Sequence, residues 1–167
     1  MLSGDEILRL RIVELQAEPM AGEAHVQPNG VDLSLEAIWT ITEAGALGRS
    51  AADRRLPGRQ ALDFDADDWL TLQPGAYGIR YAEWVALPAD CGGLCFPRSS
   101  LLRMGLYVPT AVWDAGYAGR GEGLLQVTNP CGVRLQRGAR IVQLVVFRLT
   151  QVAAEGYSGA YQYENRR

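Results

Sequence analysis

A chain of 167 residues, 48% of them hydrophobic, with a formal net charge of −3 is long enough for one substantial core and too short for two ordinary domains. Its acidic balance, a pI near 5.2 with no basic tract, excludes the electrostatic footprint of a general nucleic-acid binder. No run approaches the roughly 18–20 apolar residues needed to span a bilayer, and 19 glycines with 8 prolines argue against a helix bundle and for many short elements joined by turns.

The first residues, MLSGDEILRLRIVEL, lack the basic start and long apolar stretch of an export signal, so a cytoplasmic protein is expected. Ser3-Gly4-Asp5-Glu6 has the pattern of a capping box. Ile7, Leu8, Leu10, Ile12 and Val13 follow at the spacing of a short amphipathic helix. Gln27-Pro28-Asn29-Gly30 signals a turn into Val31–Leu35, whose alternation of apolar and polar residues predicts a strand. Residues 37–42 continue the strand character. Residues 43–68 show little period and read as an excursion between strands. Its acidic end, Asp63, Asp65, Asp67 and Asp68, lacks the glycine and closing glutamate of a calcium loop, so a solvated turn is expected there.

Short strands are predicted at 70–72, 76–81, 84–87, 93–96, 123–128 and 141–149, separated by turn residues such as Gln73-Pro74-Gly75 and Asn129-Pro130. Ser99–Met104 is the one central stretch that reads as a helix, with a serine cap. Residues 155–167, rich in Gly and Tyr, form a tail expected to be mobile. The prediction is one all-β domain over 1–167, a sandwich or barrel with one N-terminal and one internal helix. Cys91, Cys95 and Cys131 are an odd set at unpromising spacing beside a single histidine, His25. They are expected to be buried thiols rather than a disulfide framework or a zinc site.

Four segments carry chemistry. In Gln27–Leu33 an aspartate, Asp32, enters a strand two residues after a glycine, where it can be held rigidly near a metal. In Phe96–Leu106 the residues Arg98, Ser99, Ser100 and Arg103 gather guanidinium groups, hydroxyls and free N–H groups at a helix start, a composition suited to anions. In Trp113–Gly119 a carboxylate, Asp114, and a ring, Tyr117, share one tight turn; the first can deprotonate a water and the second can pack on a sugar. In Gly138–Phe147 an apolar strand is interrupted by one amide, Gln143, which needs a hydrogen-bond partner if buried.

Taken in order, QPNGVDL, PRSSLLRMGL, WDAGYAGRGEGLL, ARIVQLVVF and YSGAYQ resemble the dUTPase and dCTP deaminase superfamily, most closely its archaeal dUTPase-like branch. The resemblance covers nearly the whole chain. It implies a homotrimer of distorted jelly-roll subunits with interfacial active sites, and Mg²⁺ bound mainly through a triphosphate. By position, Asp114 matches the residue that activates water. Tyr117 matches the ring that stacks on deoxyribose; Arg98, Ser99, Ser100 and Gln143 match phosphate contacts, and Arg103 matches a further phosphate or interface arginine. Asp32 matches an acid that supports the metal region through water, and Tyr161 and Gln162 match a tail that closes over nucleotide.

The superfamily's two activities differ at the base. Counting back from Asn129, the residue that matches the deaminase glutamate is Gln126, which cannot exchange a proton at neutral pH. Hydrolysis of dUTP to dUMP and pyrophosphate is therefore expected, with dCTP deamination, alone or bifunctional, as the alternative. The hairpin is longer by Arg120-Gly121-Glu122-Gly123, as in the branch it resembles; Glu122 reads first as an exposed charge in a Gly-rich turn, with an acid that reaches the base as the alternative. A non-catalytic nucleotide-binding module is a lesser alternative, opposed by the presence of both Asp114 and Tyr117. Zinc-dependent deamination is excluded, because neither the H-x-E nor the P-C-x-x-C pattern occurs. No nucleic-acid or membrane partner is expected.

Overall fold

The computed structural model describes residues 1–15 and 25–166. Among the described residues two short α-helices, α1 (Gly4–Arg9) and α2 (Ser99–Arg103), and one 3-10 turn, Ala51–Asp53, accompany fourteen strands. In chain order these are β1 (Val13–Glu14), β2 (Val26–Gln27), β3 (Gly30–Ile41), β4 (Arg59–Ala61), β5 (Trp69–Leu72), β6 (Gly75–Tyr81) and β7 (Trp84–Ala86). They continue with β8 (Cys91–Pro97), β9 (Leu106–Tyr107), β10 (Val112–Trp113), β11 (Ala118–Gly119), β12 (Glu122–Val127), β13 (Val133–Gln136) and β14 (Arg140–Arg148).

All strand pairs are antiparallel. The main sheet runs β10-β8-β14-β3-β6-β12-β9, with β2 and β4 also on β3. Smaller sheets are β1-β7-β11 and β13-β5. The 12-residue β3 is the hinge of the architecture. Its first half pairs with β14 and its second half with β6, with an irregularity between Leu35 and Ala37. Such a break bends a strand and lets one sheet curl round its own core. The mainly β, jelly-roll expectation holds.

The core follows from alternation. On β14, Val142, Leu144 and Val146 are buried while Gln143, Val145 and Phe147 are partly exposed. Val31, Leu33, Leu35 and Ile38 of β3 meet Ile79 of β6 and Leu125 of β12 in the same cluster. Each such side chain contributes about 2 kcal/mol by leaving water. Residues 30–35 of β3 are buried on both faces, polar Asp32 and Ser34 included. The alternation VDLSL thus marks not a wet face but a buried polar one whose groups all need partners.

Three local expectations are corrected. The first helix stops at Arg9, because Arg11 takes a left-handed φ of 53°; Val13 belongs instead to β1, paired with Val85. Ser3 does cap α1, accepting the Glu6 N–H at 3.2 Å. The second helix is capped by Arg98 with no side-chain hydrogen bond, so Ser99 is its first residue and not its cap. Cys91 and Cys95 are buried, but Cys131 is exposed. The acidic stretch is a turn, as expected: Asp65 Oδ1 accepts the N–H groups of Asp67 (3.1 Å) and Trp69 (2.8 Å).

Candidate active site

Two groups of polar residues sit at opposite ends of β8. The first gathers on Asp32, whose side chain is 1% exposed. Its Oδ2 accepts the amide of Gln27 at 3.0 Å and lies 3.3 Å from Arg98 Nε and 3.4 Å from Arg140 Nη1. The sheet makes this meeting necessary. Gln143 is in register with Asp32 on one side and with Phe96 on the other, and the Arg98 N–H donates to the Ile141 carbonyl at 3.0 Å. Burial pushes the Asp32 carboxyl above its ordinary range, against the pull of Arg98, Arg140 and Gln27. Ser99 and Ser100 follow as exposed residues at the start of α2, and Arg103 is exposed at its end.

Behind Asp32 lies a second buried acid that sequence reasoning missed. Glu83, 2% exposed, accepts Ser34 N–H at 2.8 Å and Ser34 Oγ–H at 2.6 Å. His25 Nδ1 is 3.7 Å from Glu83 Oε1 and 3.0 Å from the Asp32 carbonyl oxygen. Arg140 was also missed; its place in the run ARIVQ carried no sign that it would face Asp32.

The second group is the hairpin between β10 and β11. Gly116 takes a φ of 83°, a conformation that favours glycine, and a Cβ there would meet Gly156 Cα at 2.8 Å. Asp114 is exposed on this turn, and its carboxylate has no hydrogen-bond or ion-pair partner among the described residues. Tyr117 is 7% exposed. Its ring meets Trp113 edge-on at 5.2 Å and Tyr157 at 5.7 Å. Its hydroxyl donates to Glu164 Oε1 at 2.8 Å. Burial first, and Glu164 second, push the phenol above its ordinary range.

The tail expected to be mobile packs instead on its own hairpin. One edge of β11 pairs with β7; the other pairs with the tail. Ala118 N–H donates to Gln162 Oε1 at 2.9 Å, and Gln162 Nε2 donates to the Gly116 carbonyl at 2.9 Å. Tyr163 N–H donates to Ala118 O at 2.7 Å. Asn165 Nδ2 donates to Arg120 O at 2.8 Å, and Arg120 Nη1 to Asn165 O at 3.2 Å. Tyr161 is held more loosely, its N–H reaching the Tyr157 hydroxyl at 3.4 Å, with Arg54 5.3 Å above its ring. In this arrangement the tail covers Tyr117, so the ring has no open face for a sugar.

The two groups do not meet within the chain. Trp113 is in register with Gly93, and Asp114 lies beyond it, whereas Arg98 is five residues further along the β8 direction. At about 3.3 Å per residue this is roughly 17 Å. Gln126 is exposed on β12, opposite Ala76 and Tyr107. Glu122 is tied to Arg59 Nη1 at 2.9 Å. A cavity of about 720 Å³ beside the tail is lined by Trp39, Leu56, Arg59, Glu122, Leu124 and Tyr161. Tyr161 is the one expected site residue on its wall.

Among the described residues no group of three or more His, Cys, Asp or Glu could hold a metal ion, and no helix is long and apolar enough to cross a membrane.

Residues 1–149 match the family model described as dCTP deaminase-like. A protein of Methanosarcina acetivorans named as a probable deoxyuridine 5'-triphosphate nucleotidohydrolase is 42% identical over 171 residues, covering 99% of this chain and 98% of its own. One of Aeropyrum pernix with the same name is 43% identical over 163 residues, covering 98% of each. Among solved structures, the 2'-deoxycytidine 5'-triphosphate deaminase of Agrobacterium tumefaciens superposes with a TM-score of 0.64 at 23% identity, over 87% of this chain and 46% of that one. A Staphylococcus bacteriophage 80alpha dUTPase mutant with dUpNHpp gives 0.51 at 17% identity, over 92% and 91%. These two likenesses concern the fold.

Proposed function

The chain belongs to the dCTP deaminase-like family, and we propose that it hydrolyses dUTP to dUMP and pyrophosphate. The observation that carries this reading is the pairing of a free, exposed carboxylate on the hairpin, Asp114, with an amide, Gln126, on β12. An exposed carboxylate on a rigid turn can take a proton from a water aimed at the α-phosphorus. Deamination of cytosine needs a group that accepts and returns protons at the base, which the Gln126 amide cannot do. Glu122 is a poor substitute, since its carboxylate is engaged by Arg59. The names of the two relatives support the same choice.

Arg98, Ser99, Ser100, Arg103 and Gln143 act on the triphosphate, with Asp32 aligning Arg98 from below. A guanidinium held by a buried carboxylate is preorganised for bidentate phosphate contact. Asp114 lies beyond Trp113, so it is more than roughly 17 Å from Arg98 along the strand direction, and a nucleotide shared between neighbouring copies brings one group from each to the same site. This supports a homotrimer with interfacial sites. Mg²⁺ would arrive on the triphosphate, and Asp32, 1% exposed and engaged by Arg98 and Arg140, would support that region indirectly, through the arginines it holds. Such an ion would neutralise the phosphates and favour attack. Tyr117 meets the deoxyribose, and Tyr161 and Gln162 close over the nucleotide once the tail has changed place. The enzyme acts in the cytoplasm.

The test is a product assay with purified protein and Mg²⁺, offering dUTP and dCTP separately. Formation of dUMP and pyrophosphate, with dCTP untouched, is expected. Release of ammonia from dCTP would overturn the weight placed on Gln126.

A further inference from the structure

The Gln162 carboxamide presents a carbonyl oxygen and an N–H side by side. The hairpin answers with the Ala118 N–H and the Gly116 carbonyl, each at 2.9 Å. A uracil ring presents the same acceptor–donor pair along its imide edge, with the same spacing. The two occupants are mutually exclusive, because each backbone group is already engaged. The neighbouring contacts are excluded too: Glu164 takes the Tyr117 hydroxyl at 2.8 Å and Tyr157 covers its ring at 5.7 Å.

We propose that the C-terminal tail is a built-in competitor of the nucleotide, docked on the hairpin edge that a pyrimidine would use. This rests on the reading of the hairpin as the nucleotide's seat. The docked tail is specific, with a side-chain amide clamp, a backbone bond from Tyr163 to Ala118 and a reciprocal pair between Asn165 and Arg120. It is also poised to leave. Tyr163 and Asn165 hold left-handed φ values of 61° and 52°, which non-glycine residues adopt only when their surroundings compensate. Release therefore trades hydrogen bonds for relaxed backbone, and nucleotide entry is limited by the fraction of subunits with the tail undocked.

The experiment measures association of deoxyuridine, which has a base edge and no phosphate, with the full chain and with Asn165→Ala. This change removes the amide bonds to Arg120 O at 2.8 Å and, more weakly, to Glu122 Oε1 at 3.3 Å, and places alanine where asparagine tolerates a left-handed backbone better, without touching Asp114, Tyr117 or Gln162. Loss of one such bond is worth about 1 kcal/mol, or about fivefold in the docking equilibrium. The association rate constant for deoxyuridine should rise by about that factor, while binding of inorganic tripolyphosphate, which addresses the other end of β8, stays the same. In the full chain the observed rate should level off with deoxyuridine concentration at the rate of tail release. A chain ending at residue 155 should show no such plateau. Unchanged association rates in both variants overturn the proposal and leave the hydrolase reading standing. Failure of every form to bind deoxyuridine overturns both.

Discussion

The Tyr117 hydroxyl donates to Glu164 Oε1 over 2.8 Å, across 47 positions of sequence. One residue stands in the hairpin that carries Asp114 and the other in the tail, so this bond reports whether the tail is docked. Burial, first, and the nearby Glu122 charge push the Glu164 carboxyl above its ordinary value of 4.5, while the tyrosine pulls it back. A carboxyl whose docked value is raised binds its proton more tightly when docked than when free. Docking is then strongest at acid pH and weakens as pH rises from about 4.5 through the raised value. Hydrogen exchange at the Tyr163 amide should therefore quicken across that window, beyond its intrinsic pH dependence. In Glu164→Gln this extra dependence should vanish. Exchange that slows relative to the intrinsic rate over the same window would mean that the ionised carboxylate holds the tail.

Gly116→Ala tests the hairpin's geometry from the other side. The φ of 83° is unfavourable for alanine by about 1–2 kcal/mol. The new methyl would also press on Gly156 Cα at 2.8 Å and Tyr157 N at 3.0 Å. Both effects act where hairpin and tail touch. The expected outcome is a lower thermal midpoint together with faster proteolytic removal of the tail. A variant with unchanged tail protection would show that the two segments do not depend on that close approach.

Asp32→Ala should be the most damaging of the polar substitutions. It removes a carboxylate that is 1% exposed and leaves Arg98 and Arg140 facing each other without it. Breaking a buried pair by deleting one partner costs about 3–5 kcal/mol, and the partial exposure of both arginines places the expectation near the lower end. Denaturant unfolding measures it. A loss below about 1 kcal/mol, the range of surface pairs, would mean that the arginines find equal partners elsewhere.

Much of this architecture is legible in the sequence where a strand is long enough to show a period. The strands β6, β8, β12 and β14 were expected within two residues of their ends, because apolar runs are bounded there by Gly, Pro and Asn turns. The two-residue strands β1, β2, β9, β10 and β11 show no period and are created by tertiary pairing. The site divides in the same way. Asp32, Arg98, Asp114 and Tyr117 stand in recognisable local patterns. Glu83 and Arg140 do not, since what singles them out is burial against Ser34 and Asp32 from distant strands. The tail looked mobile because Gly, Ser and Tyr carry no hydrophobic pattern; its docking depends on amide and backbone hydrogen bonds that composition does not reveal.

Asp114→Asn separates binding from chemistry. The side chain is exposed and without a partner among the described residues, so the thermal midpoint should move little, as for other surface changes. Asparagine keeps the shape and loses the ability to accept a proton from water. A general base typically contributes about 10²–10⁴-fold, so the turnover of dUTP should fall at least 100-fold while the affinity for a non-hydrolysable analogue such as dUpNHpp changes less than about threefold. An equal loss of affinity would show that the carboxylate binds nucleotide rather than activating water.

Gln126→Glu asks whether a single acid on β12 converts the enzyme to a deaminase. The side chain is exposed between Ala76 and Tyr107, so the new carboxylate would be solvated rather than held against a base. A proton shuttle must also lie within hydrogen-bond reach of the atoms it serves. The start of β12, which sets that reach, is tied down by the Glu122–Arg59 pair at 2.9 Å. The expected outcome is loss or retention of dUTP hydrolysis with no ammonia from dCTP. Robust ammonia release from this variant would mean that β12 already presents position 126 to the base and that Gln126 is the sole barrier between the two activities.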